Sequence, residues 1–289
     1  MNAALRLSAT IRQLFLTLTS TLWVVGLAIP AVADETYPLP QFRQVLPPLT
    51  LPQVESSGPF RLLADADFPP FSFASQQGAP AGLAVELALA ACGEAKIECE
   101  VQLLPYAELL PALASRAGDA VISGPRLDET SLAGGISTRP YFRTLARFAV
   151  QSGSPLAEAS AAALAGKRVG VVSGSVHAAW LTAHFPGAAV APFESEAKAQ
   201  DALRTGNVDV LFGDNLHIIY WLAGGADKGC CRMLDHAFSD LSSFSRNIAF
   251  LVRNDRPDLR AALDYGLDAL QVNGGTAKVF NRYIPLNPW

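Results

Sequence analysis

After residue 58 the chain alternates short apolar runs with longer helical runs, and it does so twice over. That alternation predicts an α/β fold with mainly parallel strands, because a strand followed by a helix must return to the same sheet by a crossover. The first set reads as a strand over Phe60–Ala64, a Pro/Phe-rich loop over Asp65–Ser75 and a helix over Leu83–Ala95 with Leu83, Leu87, Ala90 and Ala91 on one face. A strand over Cys99–Leu104, a helix over Tyr106–Ser115 and a strand over Ala120–Ser123 complete it. The second set has strands at Arg168–Val172, around Val190 and over Val208–Phe212, with helices opening at Ser175, Glu196 and Leu216. Two further strands, Leu145–Gln151 and Asn247–Arg253, sit at the borders between the sets. Helices over Pro257–Val272 and Thr276–Tyr283 close the chain. The layout implied is two α/β lobes joined by two crossing strands, and ligand sites favour such clefts.

The first 33 residues read as a leader rather than as fold. Arg6 and Arg12 form a basic start without an acid, Leu14–Ala28 is apolar, and Ala31-Val32-Ala33 is a small-x-small cleavage site before Asp34. This is a secretory signal peptide, too short to span a membrane before Pro30. The expected location is therefore the periplasm. From Tyr37 to Pro59 six prolines break any periodicity, which predicts an extended arm or linker. Beyond the leader the chain carries 26 acids and 20 bases, a net charge of −6. That balance argues against nucleic acid or an anionic membrane surface as partner. Half the residues are hydrophobic, ample for a core.

All four cysteines follow the leader. Cys92 and Cys99 flank a short helix-to-strand turn, where a disulfide is geometrically easy and suits an oxidising compartment. Cys230 and Cys231 are adjacent and are compatible with either a vicinal ring or two thiols. His177, His184, His217 and His236 are scattered and read as surface or packing residues. With no Cys-x-x-Cys spacing, no paired histidines and no phosphate loop, neither a metal nor a cofactor is expected.

The most informative run is Gly206-Asn207-Val208-Asp209-Val210-Leu211-Phe212-Gly213 followed by Asp214. A turn glycine leads into a buried strand that ends on a carboxylate where a helix opens. Open parallel sheets bind ligands just outside the carboxyl ends of their strands, so Asp214 is placed to take a cation or an ammonium group. The alternative is that Asp214 only caps the helix that follows.

Taken in order, several stretches resemble the extracellular solute-binding protein family of polar amino-acid ABC transporters, over about residues 58 to 286. They are Asp65-Ala66-Asp67-Phe68-Pro69-Pro70-Phe71, Gly82-Leu83-Ala84-Val85-Glu86-Leu87, Gly118-Asp119-Ala120-Val121-Ile122-Ser123-Gly124 and Arg139-Pro140-Tyr141 in the first set. Leu164-Ala165-Gly166-Lys167-Arg168-Val169-Gly170-Val171, the Gly206–Asp214 run and Asn273-Gly274-Gly275 follow. The order and spacing carry the likeness. The Cys92–Cys99 spacing also resembles the disulfide of the histidine- and lysine/arginine/ornithine-binding members.

The resemblance implies a type II periplasmic binding fold with lobes over 58–148 plus 248–289 and over 152–244. It implies that Phe68 stacks on a ligand side chain and that Tyr106 lies near a second aromatic wall. It places Gly124 and Arg126 on the loop that binds an α-carboxylate, with Ser173, Gly174 and Ser175 supplying helix N-terminal donors to the same group. It assigns Asp214 the α-ammonium. In one respect the chain departs from the pattern. The family usually reads Thr-x-x-Arg after that first loop, its arginine gripping the carboxylate as a fork. Here the stretch is Asp128-Glu129-Thr130-Ser131, so a serine stands at the arginine position. Either Arg126 reaches in instead, or the ligand lacks an amino-acid headgroup.

Three readings follow. The first is a periplasmic protein, monomeric and not an enzyme, that closes on a small polar solute and presents it to an ABC permease in the inner membrane. The second is an accessory or sensor binding module outside transport, such as one beside a quinoprotein dehydrogenase. The third is a dehydratase-like enzyme on the same scaffold, with a cleft carboxylate as acid or base.

Overall fold

The computed structural model describes residues 50–123 and 133–288. The leader, most of the proline-rich arm, and Gly124, Arg126 and Ser131 lie outside those residues. Strand β1 (Phe60–Asp65) is followed by β2 (Asp67–Phe68), β3 (Ser72–Ala74) and β4 (Pro80–Ala81), then α1 (Leu83–Glu94), β5 (Cys99–Leu104), α2 (Tyr106–Ala114) and β6 (Ala120–Val121). Next come β7 (Gly135–Ser137), β8 (Phe142–Arg143) and β9 (Ala146–Gln151). The second set is α3 (Ala161–Leu164), β10 (Arg168–Val172), α4 (Val176–His184), β11 (Ala189–Phe193), α5 (Glu196–Arg204), β12 (Val210–Asp214), α6 (Asn215–Ala223) and β13 (Cys231–Met233). The chain ends through β14 (Asn247–Ile248), β15 (Leu251–Arg253), α7 (Pro257–Asn273) and α8 (Gly275–Tyr283).

Two five-stranded sheets result. The first has the order β5-β1-β6-β15-β7 and the second β11-β10-β12-β9-β13. In each, the strands that alternate with helices pair in parallel. Leu62 faces both Val101 and Ala120, and Val169 faces both Val190 and Val210. The remaining strands run antiparallel: β15 against β6 and β7, and β9 against β12 and β13. The sheets are thus mixed, not mainly parallel as the alternation predicts, because the strands returning from outside each set enter from the opposite direction. Strand β8, just ahead of the expected Leu145–Gln151 strand, and β14, the start of the expected Asn247–Arg253 strand, meet in a short ladder of their own, with Ile248 opposite Phe142 and Asn247 opposite Arg143.

Two boundaries differ from the sequence reading. The Asp65–Ser75 loop is a three-stranded meander, β2-β3-β4, in which Phe73 pairs with both Asp67 and Ala81. Pro69 and Pro70, joined by a cis peptide bond, form its first turn. The expected Asn247–Arg253 strand is split, because Phe250 leaves the ladder to bond Thr138. Its N–H donates to Thr138 Oγ1 at 2.9 Å and its carbonyl accepts from Thr138 N at 2.8 Å.

Burial explains why these segments fold as they do. Helix α1 buries Leu83, Ala84, Val85, Leu87, Ala88, Ala91 and Cys92, more than one stripe, because the first sheet and α7 cover it together. Gly266 lets α7 approach. A Cβ there would stand 2.1 Å from the Ala91 carbonyl oxygen. Gly274, at φ 78°, makes the left-handed step between α7 and α8 that a side chain would resist. The core beneath α4 is aromatic: Phe148 stacks on Phe212 with centroids 4.3 Å apart, and Trp180 stacks on Phe212 at 5.4 Å. Cys92 and Cys99 are disulfide-bonded, tying the end of α1 to the start of β5. Cys230 and Cys231 also form a disulfide, so the vicinal ring is the state observed.

Candidate functional site

Three helices of the second set begin at the carboxyl ends of their strands, and each is capped by a side chain. Ser175 Oγ accepts from Ala178 N at 3.1 Å to open α4, and Ser195 Oγ accepts from Lys198 N at 3.3 Å to open α5. At α6, Asp214 Oδ1 accepts from Leu216 N at 2.9 Å and His217 N at 3.3 Å. Asp214 is therefore a helix cap, as the plainer sequence reading has it. It also lines a concavity of about 100 Å³ that is open to solvent. Its Oδ1 serves the helix, and no hydrogen bond to Oδ2 is made among the described residues.

The walls come from all three helix starts. Ser175 and His177 belong to α4, Glu196 and Gln200 to α5, and Asp214 and His217 flank the opening of α6. No lysine or arginine is among the described residues that line it. Burial raises the Asp214 pKa above the usual carboxylate range, with the neighbouring His217 opposing that shift. A carboxylate shifted in that direction lacks full compensation, and a cation brought into the cavity would supply it. His217 Nδ1 lies 2.6 Å from Glu196 Oε1, and this hydrogen bond raises the imidazole pKa. His177 behaves in the opposite way. Its ring is stacked on Phe244 at 5.0 Å and set edge-on to Phe212 at 5.8 Å, so burial lowers its pKa. Its Nε2 is buried with no hydrogen-bond partner among the described residues.

Of the residues expected from sequence, the structure brings Ser175 and Asp214 together in this cavity. Ser173 and Gly174 adjoin Ser175 on the exposed turn between β10 and α4. The Ser175 hydroxyl donates to the Val172 carbonyl at 2.7 Å, so what this turn has left to offer is the Ser173 hydroxyl and backbone N–H. Phe68, in β2, is half-buried and stacked on Phe71 at 5.1 Å, and Tyr106, at the start of α2, is 58 % exposed. Neither lines this cavity. Arg139, the guanidinium of the Arg-Pro-Tyr stretch, is held elsewhere: its N–H donates to Asp264 Oδ1 at 2.8 Å and its guanidinium pairs with Asp268.

Sequence reasoning missed His177, Glu196 and His217 as lining residues. The available signal was positional. Glu196 opens the helix after β11, His177 and His217 stand in the first turns of the helices after β10 and β12, and helix starts along one sheet edge share a space.

Comparison with known proteins agrees with this architecture. A model of the bacterial extracellular solute-binding proteins, family 3, matches residues 60–285. The L-arginine-binding protein of Pseudomonas aeruginosa is 28 % identical over 239 residues, covering 82 % of this chain and 92 % of that protein. The L-cystine-binding protein TcyJ of Escherichia coli is 26 % identical over 206 residues, covering 71 % and 72 %. Among solved structures, the second substrate-binding domain of Lactococcus lactis GlnP, in its open conformation, superposes with a TM-score of 0.69 at 20 % identity, covering 82 % of this chain and all of that domain. The fold is thus the two-sheet, type II periplasmic binding architecture, and the curated relatives named here are binding proteins. With the family pattern running from β1 to beyond α8, the chain belongs to the bacterial extracellular solute-binding proteins of family 3.

Proposed function

We propose that this protein captures a small amino acid carrying a net positive charge and presents it to an ABC permease. The observation that carries the reading is the Asp214 carboxylate. It is desolvated at a strand end, shares its cavity with Glu196, and has no lysine or arginine beside it among the described lining residues. An α-ammonium seated on Asp214 would supply the missing charge. The named ligands of the two curated relatives, L-arginine and L-cystine, both carry that group, and arginine adds a second cation.

In this reading the lobes are 58–148 plus 248–289 and 152–244, and they close on the solute about the Phe142–Ile248 ladder. Backbone N–H groups at the start of α4, beside Ser173, Gly174 and Ser175, face the ligand carboxylate. Phe68 and Tyr106 approach from the other lobe on closure. The resemblance assigns the rest of the carboxylate contact to Gly124 and Arg126, with Arg126 the candidate to replace the arginine whose position Ser131 holds; all three lie outside the described residues. The protein is exported to the periplasm, begins at Asp34 once the leader is removed, and works as a monomer. It binds and releases without catalysis, as the names of the curated relatives say of those proteins.

The test is a thermal-shift and calorimetric screen of exported protein against L-arginine, L-lysine, L-ornithine, L-cystine, L-glutamate and L-leucine. Ligands of the folded state raise the midpoint by mass action. The basic amino acids should raise it most. A response to L-glutamate or L-leucine alone overturns the reading.

A further inference from the structure

The second carboxylate of the cavity is not free, and the residue that occupies it is titratable. His217 sits between the two acids. Its backbone N–H bonds Asp214 Oδ1 at 3.3 Å, and its Nδ1 lies 2.6 Å from Glu196 Oε1. The pair crosses from the first turn of α6 to the first residue of α5, and both residues line the cavity. We infer that His217 is a specificity-determining residue that sets the charge of the binding cavity, so that solute affinity depends on pH. This rests on the cationic-solute reading above.

When its ring is protonated, His217 is a fixed cation beside Asp214 and Glu196, and a cationic solute meets a half-neutralised site. When it is neutral, both carboxylates are uncompensated and attract the solute fully. The groups that face it are Glu196 from α5, Asp214 at the end of β12 and His177 from α4. Their shifts separate the contributions. The hydrogen bond to Glu196 raises His217, whereas burial lowers His177, so His177 releases its proton at lower pH than His217 does. Burial raises Asp214, so it takes up its proton earlier than an ordinary aspartate as pH falls, and the His217 variants separate its contribution from that of the imidazole.

The sign follows from linkage. A group whose bound proton opposes the ligand must release that proton as the ligand binds, and ligand affinity must rise as pH rises through its pKa. L-arginine is a clean probe. Its guanidinium ionises above about 12 and its α-ammonium at about 8 or higher, so its own charge is constant from pH 5 to 7.

The experiment is calorimetry of L-arginine binding at pH 5, 6 and 7, in buffers of different ionisation enthalpy, on the wild type, His217→Gln and His217→Lys. In the wild type, affinity should rise by about fivefold or more between pH 5 and 7, with protons released on binding. His217→Gln should bind more tightly than the wild type from pH 5 to 7, with the rise and the proton release largely lost. His217→Lys should stay at the wild type's pH 5 affinity throughout. A merely structural role would move both variants in one direction. An NMR titration of the His217 ring in Glu196→Gln gives a second reading. Removing the partner carboxylate should lower the ring's pKa and shift the affinity profile to lower pH. Wild-type and His217→Gln proteins with the same profile and proton count overturn this inference alone. Absence of L-arginine and L-lysine binding at every pH overturns the cationic-solute reading, and this inference with it.

Discussion

Asn215 Nδ2 donates to the carbonyl of Pro288 at 3.1 Å, so the residue after Asp214 is tied to the C-terminal end of the chain. The Asn215 side chain is fully buried. Its Oδ1 accepts from Leu145 N at 3.4 Å, and its own N–H donates to the Leu145 carbonyl at 3.0 Å. Nearby, Arg147 Nη1 donates to the Asn287 carbonyl at 3.3 Å. The helix start that carries Asp214 is thus anchored both to the strand entering the second sheet and to the last residues of the chain. Asn215→Ala removes the side-chain bonds and leaves the Pro288 carbonyl without its partner. It should destabilise by about 1–3 kcal/mol, read by chemical denaturation.

The α1–α7 contact is equally specific. Gly266 packs against the Ala91 backbone with no room for a side chain. The neighbour is a carbonyl within a helix, which cannot rotate away as a flexible side chain would. Gly266→Ala gains helix propensity yet should lose at least about 2 kcal/mol through overpacking. A variant as stable as the wild type would show that the two helices can separate at little cost.

The two disulfides should differ in what they contribute. Cys92–Cys99 closes a loop with a sequence separation of 7, whereas Cys230–Cys231 closes none. In the chain-entropy account a small loop gives about 2 kcal/mol and adjacent residues give almost nothing. Cys92→Ser/Cys99→Ser should lower the unfolding midpoint, and Cys230→Ser/Cys231→Ser should leave it nearly unchanged. Peptide mapping without reductant checks that both bridges form in exported protein.

Residues whose partners follow from local periodicity were legible in the sequence. The helix at Leu83–Glu94, the strand ending at Asp214 and the helix pair broken at Gly274 all follow from apolar spacing and turn glycines. Residues whose structure depends on a distant partner were not. The split at Phe250 is imposed by Thr138, and β13 exists because Arg232 and Met233 find Val150 and Ala149 on β9. The site divides in the same way. Asp214 is visible as a carboxylate at a strand end. His217 and Glu196 are unremarkable alone and become a pair because β11 and β12 flank β10 in one sheet, bringing their following helices side by side.

Asp214 does two things, and they can be separated. The cap uses Oδ1 as an acceptor, which an asparagine carbonyl supplies about as well. The proposed ligand contact uses the negative charge, which asparagine lacks. Asp214→Asn should therefore unfold within about 1 kcal/mol of the wild type, and Asp214→Ala should lose about 0.5–2 kcal/mol with the cap. Both should weaken L-arginine binding by about thirtyfold or more, since losing one member of a desolvated charge pair costs roughly 2–5 kcal/mol. Comparing calorimetric affinity with the denaturation midpoint for the two variants decides the matter. If Asp214→Asn binds L-arginine as the wild type does, the carboxylate is only a cap and the ammonium seat lies elsewhere. If affinity falls equally in both while stability falls only in Asp214→Ala, the charge at this strand end holds the solute and the cap merely holds the charge in place.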